Sequence, residues 1–168
     1  MQYHAPTSVD AAVELLSGAG AGGRIMAGGT DLLVQLRSGI FEPEVVVDIK
    51  KIDEAMTITR EDGGFRIGAS VSGAIIGQNA ELKAVYPGVV DAAELIGSTQ
   101  VQGRASLGGN LCNASPAADT TPALIAAGAI CSVAGPNGRR EVPVEEVCVA
   151  PGKTSLASGE FVVSILLP

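Results

Sequence analysis

A chain of 168 residues with 46% hydrophobic and only 17% charged residues builds a core readily, and a net charge of −7 argues against a nucleic-acid duplex as partner. No run approaches 18 consecutive apolar residues and no basic-then-apolar leader opens the chain, so no membrane span is expected and the expected location is cytoplasmic. Three cysteines without C-x-x-C spacing and one histidine, His4, argue against a zinc or iron–sulfur site of the chain's own.

"TSVDAAVELLSG" predicts an amphipathic helix, with Thr7 or Ser8 as cap and Gly18 as stop. "GAGAGG" (18–23) is a flexible connection, and "RIMA" is a short buried strand entering Gly28-Gly29. "TDLLVQLRSG" predicts a second helix, capped by Thr30 and stopped at Gly39. "VVVDI" (45–49) reads as a strand covered on both faces. Residues 1–55 thus form a small α/β unit.

After Lys51 the pattern changes. "MTITRED" and "FRIGAS" alternate on either side of Gly63-Gly64 and predict a β-hairpin. "VSGAIIGQNAEL" and "YPGVVDAAELIGS" are helical candidates, residues 129–144 suggest a hairpin turning at Asn137-Gly138, and "EFVVSILLP" is a final apolar strand. Residues 56–168 therefore read as a larger α+β unit with antiparallel strands, and the two units share a cleft. The last strand is expected to present an apolar edge that further protein would cover.

Two glycine loops stand out. In "MAGGTDLL" (26–33) a strand feeds two glycines, a threonine and a helix. Glycine removes the Cβ that would hold a ligand off, so the loop is either a pyrophosphate cradle or an ordinary tight turn. The second, "GGNLCNASPAAD" (108–119), gathers Asn110, Asn113, Ser115 and Asp119 behind Ser106. A polar surface loop leading into "DTTPALIAAGA", with Asp119 or Thr120 as cap and Pro122 in the first turn, explains the end of this stretch but not Gly-Gly-Asn before Leu111. No G-x-G-x-x-G follows a strand, and "PGKTS" (151–155) has Val147 where a P-loop needs glycine. No nucleophile or acid–base pair of the chain's own emerges, and scarce aromatics leave a planar ligand to backbone and aliphatic groups.

"AGGTDLL" (27–33) and "ASLGGNLCNASPAADTTPAL" (105–124) resemble, in that order, the two signatures of the FAD-binding medium subunits of molybdenum hydroxylases, the xanthine dehydrogenase, carbon monoxide dehydrogenase and 4-hydroxybenzoyl-CoA reductase type. "YHAPTSVDAAVELL", "IGSTQV" and "PGKTSLASGEFVVSILLP" are similar to the same family, so the likeness spans nearly the whole chain. "GGTD" is closer to the xanthine and aromatic-hydroxylase members than to the carbon monoxide type. The family commonly has Arg-Asn where this chain has Gln102-Gly103, with Arg104 one position on.

The resemblance implies an α+β, PCMH-type FAD-binding fold, two subdomains clasping an extended FAD, with the family's C-terminal domain absent from this chain. It implies cofactor contacts from Ala27, Gly28, Gly29, Thr30, Asp31 and Leu32 on the first loop. On the second it implies Ser106, Gly108, Gly109, Asn110, Asn113 and Asp119, with Asn113 and Asp119 nearest the ribityl and phosphates, and Leu156 near the flavin ring. It implies an oxidoreductase component that passes electrons from 2Fe-2S clusters of a small subunit, beside a molybdenum-cofactor large subunit, to an external acceptor. The alternatives are a stand-alone flavin oxidoreductase of the same superfamily and a non-enzymatic nucleotide-binding module.

Overall fold

A computed structural model of the chain describes every residue except Asp62. From the N-terminus run β1 (Gln2–His4), α1 (Val9–Ala19), β2 (Gly23–Met26), α2 (Leu32–Arg37), β3 (Val45–Asp48) and α3 (Asp53–Met56). Then come β4 (Ile58–Glu61), β5 (Gly64–Gly68), α4 (Gly73–Gln78), α5 (Ala80–Val85), α6 (Pro87–Leu95) and α7 (Thr99–Gln102). The chain continues with α8 (Leu107–Asn113), α9 (Thr121–Ala126), β6 (Ile130–Gly135), β7 (Gly138–Pro143), β8 (Cys148–Ala150), β9 (Lys153–Thr154) and β10 (Phe161–Leu167). The fold is α+β.

A small parallel sheet, ordered β1-β3-β2, carries the N-terminal elements. Its centre, β3, is apolar from Val45 to Val47, ends in the buried Asp48, and is almost wholly covered, as a strand packed on both faces must be. The edge strand β1 has only three residues and no alternation, so nothing in its sequence announced it. Ser8 accepts a hydrogen bond from the Ala11 N–H and caps α1, whose Val9, Ala12 and Leu16 form the buried stripe.

The larger sheet is antiparallel, ordered β4-β5-β10-β6-β7. The hairpin β4–β5 pairs Glu61 with Gly64; Asp62, counted in its first arm from the sequence, lies outside the described residues. The hairpin β6–β7 turns at Pro136-Asn137. The apolar strand β10 is no edge. It pairs with β5 on one side and β6 on the other, with a bulge between Val162 and Ser164, and Val163, Ile165 and Leu167 are fully buried. Its continuous hydrophobicity reflects a central position.

One hydrophobic core joins the two sheets. Val9, Leu16, Val47 and Ile49 belong to the same buried cluster as Ile67, Leu111, Val133 and Ile165. Helix α1 packs on β2 and β3 and reaches β6. A cleft opens where the sheets diverge.

Candidate functional site

The cleft has a volume of about 590 Å³, within the usual range for ligand sites. Three segments wall it: the loop after β2, the start of α8, and the stretch from Gly152 to Val162. Ile49, Ala69 and Ile96 contribute apolar lining, and Arg24 and Phe41 stand together on one wall, the guanidinium carbon 4.8 Å from the ring centroid.

The first wall is Ala27 to Leu32. Gly29 has φ of +82°, a conformation suited to glycine. The N–H groups of Gly28, Gly29, Thr30 and Asp31 donate to no protein acceptor among the described residues. These four residues line the cleft, and a run of N–H groups without protein acceptors is the kind of donor set from which anion nests are built. Thr30 does not cap α2; Asp31 holds the cap position and its side chain makes no capping bond.

Gly28 is needed for a reason the sequence did not suggest. A Cβ there would lie 1.9 Å from the Arg104 carbonyl oxygen, so the first loop touches the backbone just before α8. The close approach seen here is loop to loop.

The second wall is also not the loop that its glycines suggested. Leu107–Asn113 is a helix, with Ser106 capping it by accepting from the Gly109 N–H at 3.2 Å. Gly108 lies so close to Ala69 that a Cβ would come within 2.6 Å of that residue's own Cβ, and its N–H donates to the Ala69 carbonyl. Tertiary contact therefore overrides the poor helix propensity of Gly-Gly-Asn. Asn110 Oδ1 accepts from the N–H and the hydroxyl of the fully buried Thr120, fixing the corner between α8 and α9. Asn113 Oδ1 accepts from Gln35 Nε2 at 3.0 Å, which ties α8 to α2 across the cleft.

The third wall is held from behind. Gly152 N–H donates to the Ala114 carbonyl at the end of α8, and Ser155 N–H donates to Val147. Glu160 accepts from Arg140 Nε and Nη2 at 2.8 and 2.7 Å and from the Ala157 N–H at 2.7 Å. The Arg140 hydrogen bonds hold the Glu160 carboxyl below the usual carboxylate range.

Of the thirteen residues singled out from the sequence, twelve line this cleft: Ala27 to Leu32, Ser106, Gly108, Gly109, Asn110, Asn113 and Leu156. Asp119 does not. It is exposed and makes no hydrogen bond among the described residues, because the corner buries its neighbour Thr120 instead. Sequence reasoning missed Gln35, Arg24, Phe41 and most of the third wall. Beyond the family likeness that named Leu156, the turn-forming "ASGE" (157–160) was the local signal there.

A network behind the first wall was also missed. Lys50 Nζ donates to the Ala27 carbonyl at 2.6 Å and to Asp48 Oδ1 at 2.8 Å, and Tyr3 Oη donates to Asp48 Oδ2 at 2.6 Å. Asp48 is only 6% exposed. Burial pushes its carboxyl up, but hydrogen bonds from Lys50 and Tyr3 outweigh that and leave it lowered.

Residues 1–168 match the family described as the FAD binding domain in molybdopterin dehydrogenase. The chain is 34% identical to the carbon monoxide dehydrogenase medium chain of Hydrogenophaga pseudoflava, over 99% of this chain and 58% of that relative. It is 31% identical to the xanthine dehydrogenase FAD-binding subunit of Escherichia coli O157:H7, over 99% of this chain and 57% of that one. These identities do not separate a xanthine type from a carbon monoxide type, whatever "GGTD" suggested. Among solved structures, carbon monoxide dehydrogenase from Hydrogenophaga pseudoflava superposes with a TM-score of 0.96 at 34% identity, covering 100% of this chain and 58% of that one. Quinoline 2-oxidoreductase from Pseudomonas putida 86 gives 0.95 at 26% identity, covering 100% and 59%. The chain thus spans under three-fifths of the length of the relatives it matches. It belongs to the FAD-binding domain family of molybdopterin dehydrogenases, and its cofactor is FAD.

Proposed function

We propose that this chain is the cofactor-holding part of an electron-transfer flavoprotein subunit in a molybdenum hydroxylase. In this reading FAD lies extended in the cleft, its diphosphate on the first loop and on the start of α8, its flavin toward Leu156. Residues 1–55 and 56–168 act as two halves that clasp it around a shared core. The observation that carries the reading is the run of four N–H groups, Gly28 to Asp31, without an acceptor among the described residues, on the wall of the cleft. A dinucleotide's diphosphate satisfies such donors without cationic side chains, which suits a chain of net charge −7.

When bound, FAD supplies the redox chemistry, taking electrons that arrive from iron–sulfur clusters and releasing them to an acceptor. The protein's own residues bind, orient and exclude water. Gln35 with Asn113, and Glu160 with Arg140, fix the spacing of the walls. Glu160 is committed to that task and offers no free base. The clusters and the molybdenum centre then reside on a 2Fe-2S small subunit and a molybdenum-cofactor large subunit, in the cytoplasm. No helix among the described residues is long and apolar enough to cross a membrane.

The test is purification of the natural protein with its associated chains. A flavin absorbance spectrum, one FAD per chain, co-purifying iron and molybdenum, and bleaching of the flavin band on adding a reducing substrate are expected. Flavin without iron or molybdenum would favour a stand-alone flavin oxidoreductase. Absence of flavin would leave only a nucleotide-binding module.

A further inference from the structure

We propose that Lys50 is a positioning residue for the cofactor's diphosphate, acting through the Ala27–Gly28 peptide. This rests on the reading that the diphosphate lies on the first loop. Lys50 is not on the cleft lining, and its ammonium reaches the loop from behind, at the Ala27 carbonyl oxygen, 2.6 Å away. That oxygen and the Gly28 N–H belong to the same peptide unit. A charge-assisted hydrogen bond at the oxygen draws electron density through the amide and makes the N–H at its other end a stronger donor. The Gly28 N–H is one of the four without an acceptor among the described residues, and Gly28 lines the cleft. Lys50 thus carries part of its positive charge to the anion site without entering it.

The anchoring of Lys50 fits this role. A lysine side chain loses much rotamer freedom when fixed, and an isolated ammonium would prefer water. Here Asp48 Oδ1 holds the ammonium at 2.8 Å and accepts the Lys50 N–H at 3.0 Å, while Tyr3 occupies the other carboxylate oxygen at 2.6 Å. The carboxylate balances the ammonium, so the effect on the cofactor is local to one peptide rather than a long-range field. The cation also stays on the ligand-free protein, so the donor is set before the anion arrives and little reorganisation is needed at binding.

The experiment uses the natural full-length protein stripped of flavin, with Lys50→Met, Lys50→Gln and Lys50→Arg beside wild type. FAD affinity is measured by titration, and the 31P resonances of bound FAD are recorded at saturation. Lys50→Met and Lys50→Gln are expected to weaken FAD roughly tenfold, the usual scale for losing a charge-assisted partner. At least one phosphorus resonance should move in both. Lys50→Arg, which keeps the cation, is expected to stay near wild type in both measurements. Unchanged affinity in the neutral variants would overturn the proposal. So would weakened affinity with unmoved phosphorus resonances, because Lys50 would then only support the fold. Failure of both neutral variants to fold while Lys50→Arg folds would overturn it on the same ground. If wild type itself takes up no FAD, the reading of the cleft fails first, which is a different result from any of these.

Discussion

Glycines 28 and 109 look equivalent in the sequence and are not. A Cβ at Gly28 would sit 1.9 Å from a backbone oxygen that has nowhere to go. Gly28→Ala is therefore expected to destabilise the protein by on the order of 3 kcal/mol and to part the two walls. At Gly109 a Cβ would meet Ser106 Oγ at 3.1 Å and Ala27 Cβ at 3.7 Å, while helix propensity favours alanine by roughly 1 kcal/mol. Gly109→Ala should leave the melting temperature nearly unchanged and weaken FAD binding severalfold. Paired thermal melts and FAD titrations check both, and a reversed order of the two melting temperatures would contradict the loop-to-loop contact. The sequence identified both glycines but gave no hint of Arg104 as the reason for one of them, because that contact joins residues 76 positions apart in the chain.

The thiols give a pH prediction at the same scale. Burial pushes Cys112 up to about 12, with Cys148 adding to the rise, and burial likewise takes Cys131 to about 12, with Cys112 and Cys148 contributing. A thiol whose folded pKa is raised keeps its proton when the unfolded chain has lost it. Its contribution to stability is therefore complete below the ordinary value of 9.0 and is lost as pH rises toward 12. Denaturant midpoints should fall over that window, and Cys131→Ala should flatten the fall. Cys112 lines the cleft and burial keeps its thiol protonated at physiological pH, so non-covalent binding of the flavin is predicted. Acid precipitation should release all of it, and a fluorescent protein band after denaturing electrophoresis would contradict this.

Among elements, those with a clean period were legible: α1 by its apolar stripe, β3 by its apolar run, and both hairpins by alternation around turn residues, although the second turns at Pro136-Asn137 rather than Asn137-Gly138. Where tertiary contact decides, local pattern failed. Gly108-Gly109-Asn110 reads as a loop but is helical, because Gly108 seats on Ala69 and Ser106 caps the turn. Three-residue β1 has too few residues to show a pattern, and β10 was read as a strand without any sign that it lies at the sheet's centre. Ser106→Ala is expected to cost about 1 kcal/mol through loss of the cap. A chemical-denaturation curve with an unchanged midpoint would show that α8 is held by packing alone. Glu160→Gln should loosen the stretch around Ala157 and speed FAD release, because a neutral amide binds Arg140 less strongly than a carboxylate.

For the whole molecule, two sheets of different topology share one core, and the cleft beside them is where FAD is proposed to lie. Of the twelve lining residues, the glycines and small polar residues stand out in an apolar chain, whereas Ala27, Leu32 and Leu156 were named only through the family resemblance. Lys50, Gln35 and Arg140 were not, because a surface-type side chain shows its role only when the fold brings its partner to it. A ligand bridging both halves should stabilise them together. At a hundredfold excess over its dissociation constant, FAD is expected to add about 2.7 kcal/mol to unfolding. The most direct measurement is a structure of the natural protein with FAD bound. The diphosphate should lie within hydrogen-bond distance of the N–H groups of Gly28 to Asp31, with the flavin toward Leu156. A diphosphate held elsewhere, with those four N–H groups bonded only to water, would contradict it.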